Sequence, residues 1–230
     1  MKILGIIPAR GGSKGIPGKN IKLLGEKPLL QYTFDSAKAS NLLTRVILSS
    51  ESAEIIEIAN RIKLEVPFTR PSKLADDSAS SLDVVKHALG YFKERNESFD
   101  AVCLLQPTTP FREQELIDMA ISKFIKDDFD ALISVREVPK KYNPHWTFTN
   151  ENGLLKIATG ERVIISRRQE LPKAFHRDGA IYITKSSVIF ESNSLYGNKI
   201  GFIDTTGAPD INLDQPEDWI EAESFLQKNK

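Results

Sequence analysis

The chain has a single cysteine, Cys103. No disulfide can form within it, which excludes a disulfide-stapled scaffold and points to a reducing compartment. Cys103 lies inside the apolar run AVCLL and reads as a buried strand residue, because free cysteine behaves as a small hydrophobe. Net charge is missing too. The 31 basic residues are matched by 31 acidic ones, so the molecule as a whole has no long-range pull on nucleic acid or on an acidic membrane. No apolar stretch approaches the roughly 18 residues of a membrane span. MKILGIIPAR has too few apolar residues before Pro8 and Arg10 for a signal-peptide core. The 3 histidines, His87, His145 and His176, show no zinc-ligand spacing. His87 falls in a helical pattern and reads as structural. Internal repeats and low-complexity tracts are absent. These exclusions leave an expected soluble, cytoplasmic, globular protein. Its 230 residues and 40 % hydrophobic content suffice for one sizeable core.

Short apolar runs alternate with helix-period stretches. KILGII (2–7), RVILSS (45–50), DAVCLLQ (100–106), DALISV (130–135), GAIYIT (179–184) and KIGFID (199–204) read as strands. Their near-continuous apolarity predicts a sheet covered on both faces. PLLQYTFDSAKAS, SAEIIEIANRI, SSLDVVKHALGYFKE and REQELIDMAISKFI read as helices. Pro28 takes a first-turn position, and Ser50 with Glu51 marks the start of the second helix. The order βαβαβα predicts an α/β fold with a doubly wound, mostly parallel sheet. The rhythm breaks at about 136–178, where turn formers and short alternating runs predict a β-rich lobe inserted into a single domain of residues 1–230. In the last segment, QPEDWIEAESFLQK, Asp214 and Glu217 stand at capping-box spacing. Asp76 and Asp77 read as a solvated turn.

One loop stands out. IIPARGGSKGIPGKN (6–20) leaves the first strand at its carboxyl end, where open α/β sheets bind ligands. Glycines such as Gly12 let backbone N–H groups approach an anion, and Arg10, Lys14 and Lys19 add charge. Between residues 1 and 27 the only acid is Glu26, against six basic residues. The local field is positive although the total charge is zero. Two familiar phosphate loops do not fit. The pattern G-x-G-x-x-G is absent, and the P-loop pattern meets Ser13 at its first glycine and Asn20 at its last position.

IIPARGGSKGIPGKNI strongly resembles the opening loop of the cytidylyltransferases that activate nonulosonic acids, the CMP-sialic acid synthetases being the best-known members. RPSKLADDSASSLDVVKHAL (70–89), LLQPTTPFR (104–112), RRQELPKAFHRDGAIYI (167–183) and INLDQPEDW (211–219) follow in the same order as that family's segments. The resemblance spans nearly the whole chain. It implies a Rossmann-like nucleotidyltransferase domain whose β-rich insertion makes a homodimer. It also implies Mg²⁺-dependent transfer of CMP from CTP to the anomeric hydroxyl of a nonulosonic acid, with release of pyrophosphate.

The same resemblance distributes the roles. Arg10, Gly12, Ser13, Lys14, Lys19 and Asn20 would hold the nucleotide, with Arg70, Ser80 and Ser81. Lys19 would neutralise charge as pyrophosphate departs, with Arg10 and Asp214 as further catalytic candidates. Gln106, Thr108, Arg168, His176, Arg177 and Asp178 would face the sugar. His176 stands where the sialic acid enzymes have arginine, and Asp178 where they usually have asparagine. Asn212 and Asp214 occupy the two aspartate positions of a Mg²⁺ site, with Asp210 nearby as a substitute donor. Three readings stay open: CTP with a sialic-acid-like substrate; GTP, or a legionaminic, pseudaminic or deaminated acid; and a catalytically silent nucleotide- or sugar-binding module. Tyr142, Pro144, Trp146 and Phe148 would suit burial against a partner protomer or a small private core.

Overall fold

The structure, a computed structural model, describes every residue except Asp77 and Lys230. The expectation for Asp77 therefore lies outside the described residues. Six strands form the main sheet: β1 (Ile3–Pro8), β4 (Arg45–Ser49), β5 (Ala101–Leu104), β6 (Ala131–Glu137), β9 (Phe175–Lys185) and β10 (Ile200–Asp204). The order across it is β10-β6-β9-β5-β1-β4. β1 pairs parallel with β4 and β5, and β6 pairs parallel with β10. β9 alone runs the other way, between β5 and β6. The sheet is mostly parallel, as the alternation predicts.

Strands buried on both faces need two covering layers. On one side α1 (Leu29–Lys38), α2 (Ala53–Arg61) and α4 (Leu116–Lys126) bury Phe34, Ile55, Ile121 and Phe124 against Ile3, Ile7 and Cys103. On the other, α3 (Ser81–Lys93) and α5 (Ser186–Glu191) bury Val85, Phe92 and Ile189 against Leu4, Ile6 and Val102. A third cluster joins α6 (Pro216–Lys228) to the opening loop through Trp219, Ile16, Leu24 and Leu213. Cys103 is fully buried, and burial pushes its thiol up to about 12. Two small antiparallel pairs complete the elements: β2 (Leu23–Leu24) with β3 (Lys27–Pro28), and β7 (Phe148–Glu151) with β8 (Leu154–Ile157). The second pair lies in the segment between β6 and β9.

Helix starts fall close to the sequence signals but not on them. Pro28 is the residue before α1 rather than in its first turn. α2 is capped by Ser52, whose Oγ accepts from Ile55 N, not by Ser50 or Glu51. α6 opens with a Gln215–Asp218 capping box and Pro216 in its first turn. Asp214 is thus not the cap; its own N–H donates to Asp218 at 2.7 Å. Among the described residues no helix is long and apolar enough to cross a membrane.

Candidate active site

A cleft of about 670 Å³ opens at the carboxyl ends of β1 and β5. Arg10, Ser13, Lys14, Lys19 and Asn20 line it. The loop that carries them is pinned at both ends. Ala9 N donates to Ser49 O at 3.0 Å, extending the β1–β4 pairing by one step. Asn20, almost fully buried, donates through Nδ2 to Arg10 O at 3.0 Å and closes the loop on itself. Ile16 anchors the middle in the third core cluster. Gly18 has φ +62°, a left-handed turn that favours glycine. Gly12 stands outside the cleft lining, and a Cβ there would meet nothing within 4 Å.

The segment 211–215 forms the opposite wall. Leu213 N donates to Thr108 O at 2.8 Å, tying this wall to the end of β5. Lys19 Nζ donates to Leu213 O at 2.6 Å and to Asp214 Oδ1 at 3.1 Å. Asn212 Nδ2 donates to Asp214 Oδ2 at 2.6 Å. Lys19, Asp214 and Asn212 therefore form one connected group at the cleft edge. Asp210 does not join it; Arg136 Nε holds its carboxylate at 3.1 Å. Gly15 faces Asp214 so closely that a Cβ would lie 2.0 Å from Asp214 O.

On the α3 side the two serines separate. Ser80 caps the helix, accepting from Asp83 N at 3.1 Å in a reciprocal capping box, and it stands outside the cleft lining. Ser81 lines the cleft. Arg70 lines it as well, although only 4 % exposed, and its Nε has no hydrogen-bond partner.

β9 supplies the far wall. Gln106, Thr108, Arg177 and Asp178 line the cleft there, with Gly179 and Tyr182. Arg177 Nη1 donates to Tyr196 Oη at 3.1 Å, and this bond is the main reason its pKa rises further. Asp178 turns its carboxylate into the sheet. It accepts from Ser134 Oγ, from Ala180 N at 3.0 Å and from Thr205 Oγ1 at 2.5 Å. Much of its acceptor capacity is used there, beside the register shift between β6 and β9. His176 points elsewhere, exposed, its Nδ1 3.2 Å from Arg177 O. Arg168 is exposed in the short helical turn Arg168–Glu170. Neither belongs to the cleft lining.

A model of the family described as Cytidylyltransferase matches residues 4–205. The chain belongs to the cytidylyltransferase family. Relatives agree. The pseudaminic acid cytidylyltransferase of Campylobacter jejuni is 37 % identical over 196 residues, 85 % of this chain and 84 % of that one. The CMP-N,N'-diacetyllegionaminic acid synthase of Legionella pneumophila is 31 % identical over 233 residues, covering 100 % and 98 %. An N-acylneuraminate cytidylyltransferase of Streptococcus agalactiae is 28 % identical over 222 residues, 96 % of this chain and 52 % of that one. The solved structure of a CMP:2-keto-3-deoxy-manno-octonic acid synthetase complexed with CTP shares the fold, with a TM-score of 0.76 at 15 % identity over the whole of both chains.

Three residues around the cleft of the cytidylyltransferase were missed by sequence reasoning. Glu51 accepts from Gly11 N at 2.8 Å and from Arg70 Nη2 at 2.6 Å. Arg112 donates to Gln106 O at 2.7 Å and Ala180 O at 3.0 Å, bracing two cleft walls. Arg136 holds the carbonyls of Ala208 and Pro209 and so aims the 211–215 wall. The LLQPTTPFR segment already contained Arg112, but nothing in its spacing tells a brace from a ligand.

The donor set fits a magnesium ion carried mainly by phosphate. Among the described residues no group of three or more His, Cys, Asp or Glu side chains is arranged to hold a metal. Mg²⁺ needs only one or two protein carboxylates when substrate phosphates and water complete its shell. Asp214 offers a carboxylate at the cleft edge, and the neighbouring Asn212 amide could add a neutral oxygen.

Proposed function

We propose that this cytidylyltransferase joins CTP to the anomeric hydroxyl of a nonulosonic acid of the pseudaminic or legionaminic kind. The anomeric oxygen bonds to the α-phosphorus, the bond from that phosphorus to the bridging oxygen breaks, the hydroxyl proton is released and pyrophosphate leaves. The observation that carries the reading is one cleft with a cationic loop on one wall and Arg177 on the other. A triphosphate and a carboxylate are the two anions such a cleft would bring together. The named relatives act on acids of this class.

In this reading Arg10, Ser13 and Lys14 receive the β- and γ-phosphates. Lys19, held between Leu213 O and Asp214, meets the charge that develops on the departing pyrophosphate. Asn20, Arg70 and Ser81 border the nucleoside end. Arg177 takes the sugar carboxylate, for which a guanidinium fork is well shaped. Gln106 and Thr108 offer hydrogen bonds to sugar hydroxyls. Asp214, with Asn212, would hold Mg²⁺, which when bound offsets phosphate charge. The enzyme acts as a homodimer through the lobe between β6 and β9, whose Tyr142, Leu154, Leu155 and Val163 are exposed apolar side chains.

The test is pyrophosphate release with Mg²⁺, pairing CTP or GTP with pseudaminic, legionaminic and N-acetylneuraminic acids. Release with CTP and a pseudaminic- or legionaminic-type acid is expected. Release only with GTP overturns the base. Release only with N-acetylneuraminate overturns the sugar. No release from a folded protein that binds nucleotide would favour the silent module.

A further inference from the structure

Arg70 poses a physical problem. Its side chain is 4 % exposed, and a buried guanidinium without a counter-charge is costly. Glu51 supplies that charge. The Glu51 side chain is 19 % exposed and stands outside the cleft lining. Its two oxygens have separate tasks. Oε2 accepts from Arg70 Nη2 at 2.6 Å, and Oε1 accepts from Gly11 N at 2.8 Å. Gly11 belongs to the cationic loop; Arg70 begins the segment that leads to α3. One side chain thus bridges two cleft walls that are distant in sequence.

The bridge rests on a rigid base. Glu51 directly precedes Ser52, the N-cap of α2. Gly11 sits tightly over that cap, since a Cβ there would lie 3.2 Å from Ser52 Cβ. Arg70 N donates to Ser50 O at 2.8 Å, and Arg70 Nη2 lies 3.4 Å from Ala9 O. The guanidinium is fixed this way through Nη2, while Arg70 Nε is buried without a hydrogen-bond partner.

We infer that Glu51 is a positioning residue for nucleotide binding: it holds Arg70, which lines the cleft, at a fixed distance from the cationic loop. Glu51 does not touch the nucleotide. This inference rests on the proposed use of CTP. The alternative is that Glu51 merely stabilises the fold.

The geometry makes two conservative variants informative. Glu51→Gln keeps the size but offers only one acceptor atom, so its NH₂ must face either Gly11 N–H or Arg70. Glu51→Asp keeps the charge but is one methylene short of spanning both partners. CTP binding is measured by calorimetry on the full chain, with KM for the sugar acid, kcat and thermal melting followed in parallel. Each variant is expected to weaken CTP binding about tenfold, the scale of one charge-assisted hydrogen bond. Sugar KM is expected to stay within about twofold, since the sugar wall is untouched. In a double-mutant cycle, Glu51→Gln and Arg70→Gln should be non-additive. Unchanged CTP affinity in Glu51→Gln, with or without a lower melting temperature, overturns the inference. So does additivity in the cycle. If the wild-type protein binds no CTP, the functional reading fails first and the inference falls with it, an outcome distinguishable at the wild-type control.

Discussion

Lys19 is in place before substrate arrives. Its side chain is 12 % exposed and its ammonium is already bonded to Leu213 O and Asp214. Preorganised charge of this sort acts on the transition state more than on binding. Lys19→Ala is therefore expected to cut kcat by about 10²- to 10³-fold with a smaller change in CTP affinity; steady-state pyrophosphate release and calorimetry separate the two. Asp178 makes the opposite case. Its carboxylate accepts from Ser134 Oγ, Ala180 N and Thr205 Oγ1. Asp178→Asn would turn an amide NH₂ toward donors, so it should destabilise the fold by about 1–3 kcal/mol, visible as a lower melting temperature. The loop residues were legible in the sequence because glycine and cation density coincide at the carboxyl end of the first strand. The run 176–178 was not. Successive residues of a strand face opposite sides, and Arg177 takes the cleft-facing side. His176 faces away from the cleft, and Asp178, although it borders the cleft, engages its carboxylate with Ser134, Ala180 and Thr205, so one motif holds three different surroundings.

At the scale of elements, the cleft depends on close backbone approach. Gly15 has no room for a side chain, with Asp214 O only 2.0 Å from where Cβ would be. Gly15→Ala must displace the 213–215 wall, and with it the Lys19–Asp214 contact. Activity is expected to fall at least about tenfold, because misplaced groups lose catalytic alignment steeply, while circular dichroism stays unchanged. Strand positions were readable from apolar runs, and each expected run overlaps an observed strand. The direction of β9 was not readable. A strand buried on both faces shows the same continuous apolarity whichever way it runs. Helix starts slipped by one or two residues where several capping residues stand side by side. Ser50, Glu51 and Ser52 all suit a helix entrance, and Asp214 and Gln215 compete at the last helix. Tertiary contacts decide between them: Glu51 is taken by Gly11 and Arg70, leaving Ser52 to cap.

At the scale of the whole molecule, two cores sandwich the sheet and a third ties the last helix to the opening loop. The lobe between β6 and β9 departs from this economy of burial. Leu154, Leu155 and Val163 are 71 %, 70 % and 79 % exposed. A second protomer would cover them, and Leu155→Glu is expected to convert a dimer into a monomer in light scattering; an unchanged mass would move the interface elsewhere. Composition and periodicity made the sheet, the layers and the loop readable. They could not show which apolar side chains remain uncovered, because that depends on how far a hairpin reaches from the body.

The reversed central strand has a consequence for how the protein is made. β5 and β6 emerge early during synthesis, yet neither pairs with the other; each waits for β9. Until residue 185 has left the ribosome, β5 lacks its inner neighbour, and β6, whose other partner β10 follows β9 in the chain, has no strand to pair with. Unpaired edges of this kind recruit other chains. A chain that stops before β9 should thus be recovered as aggregate, not as a weakened enzyme, because the gap it leaves is the far wall of the cleft.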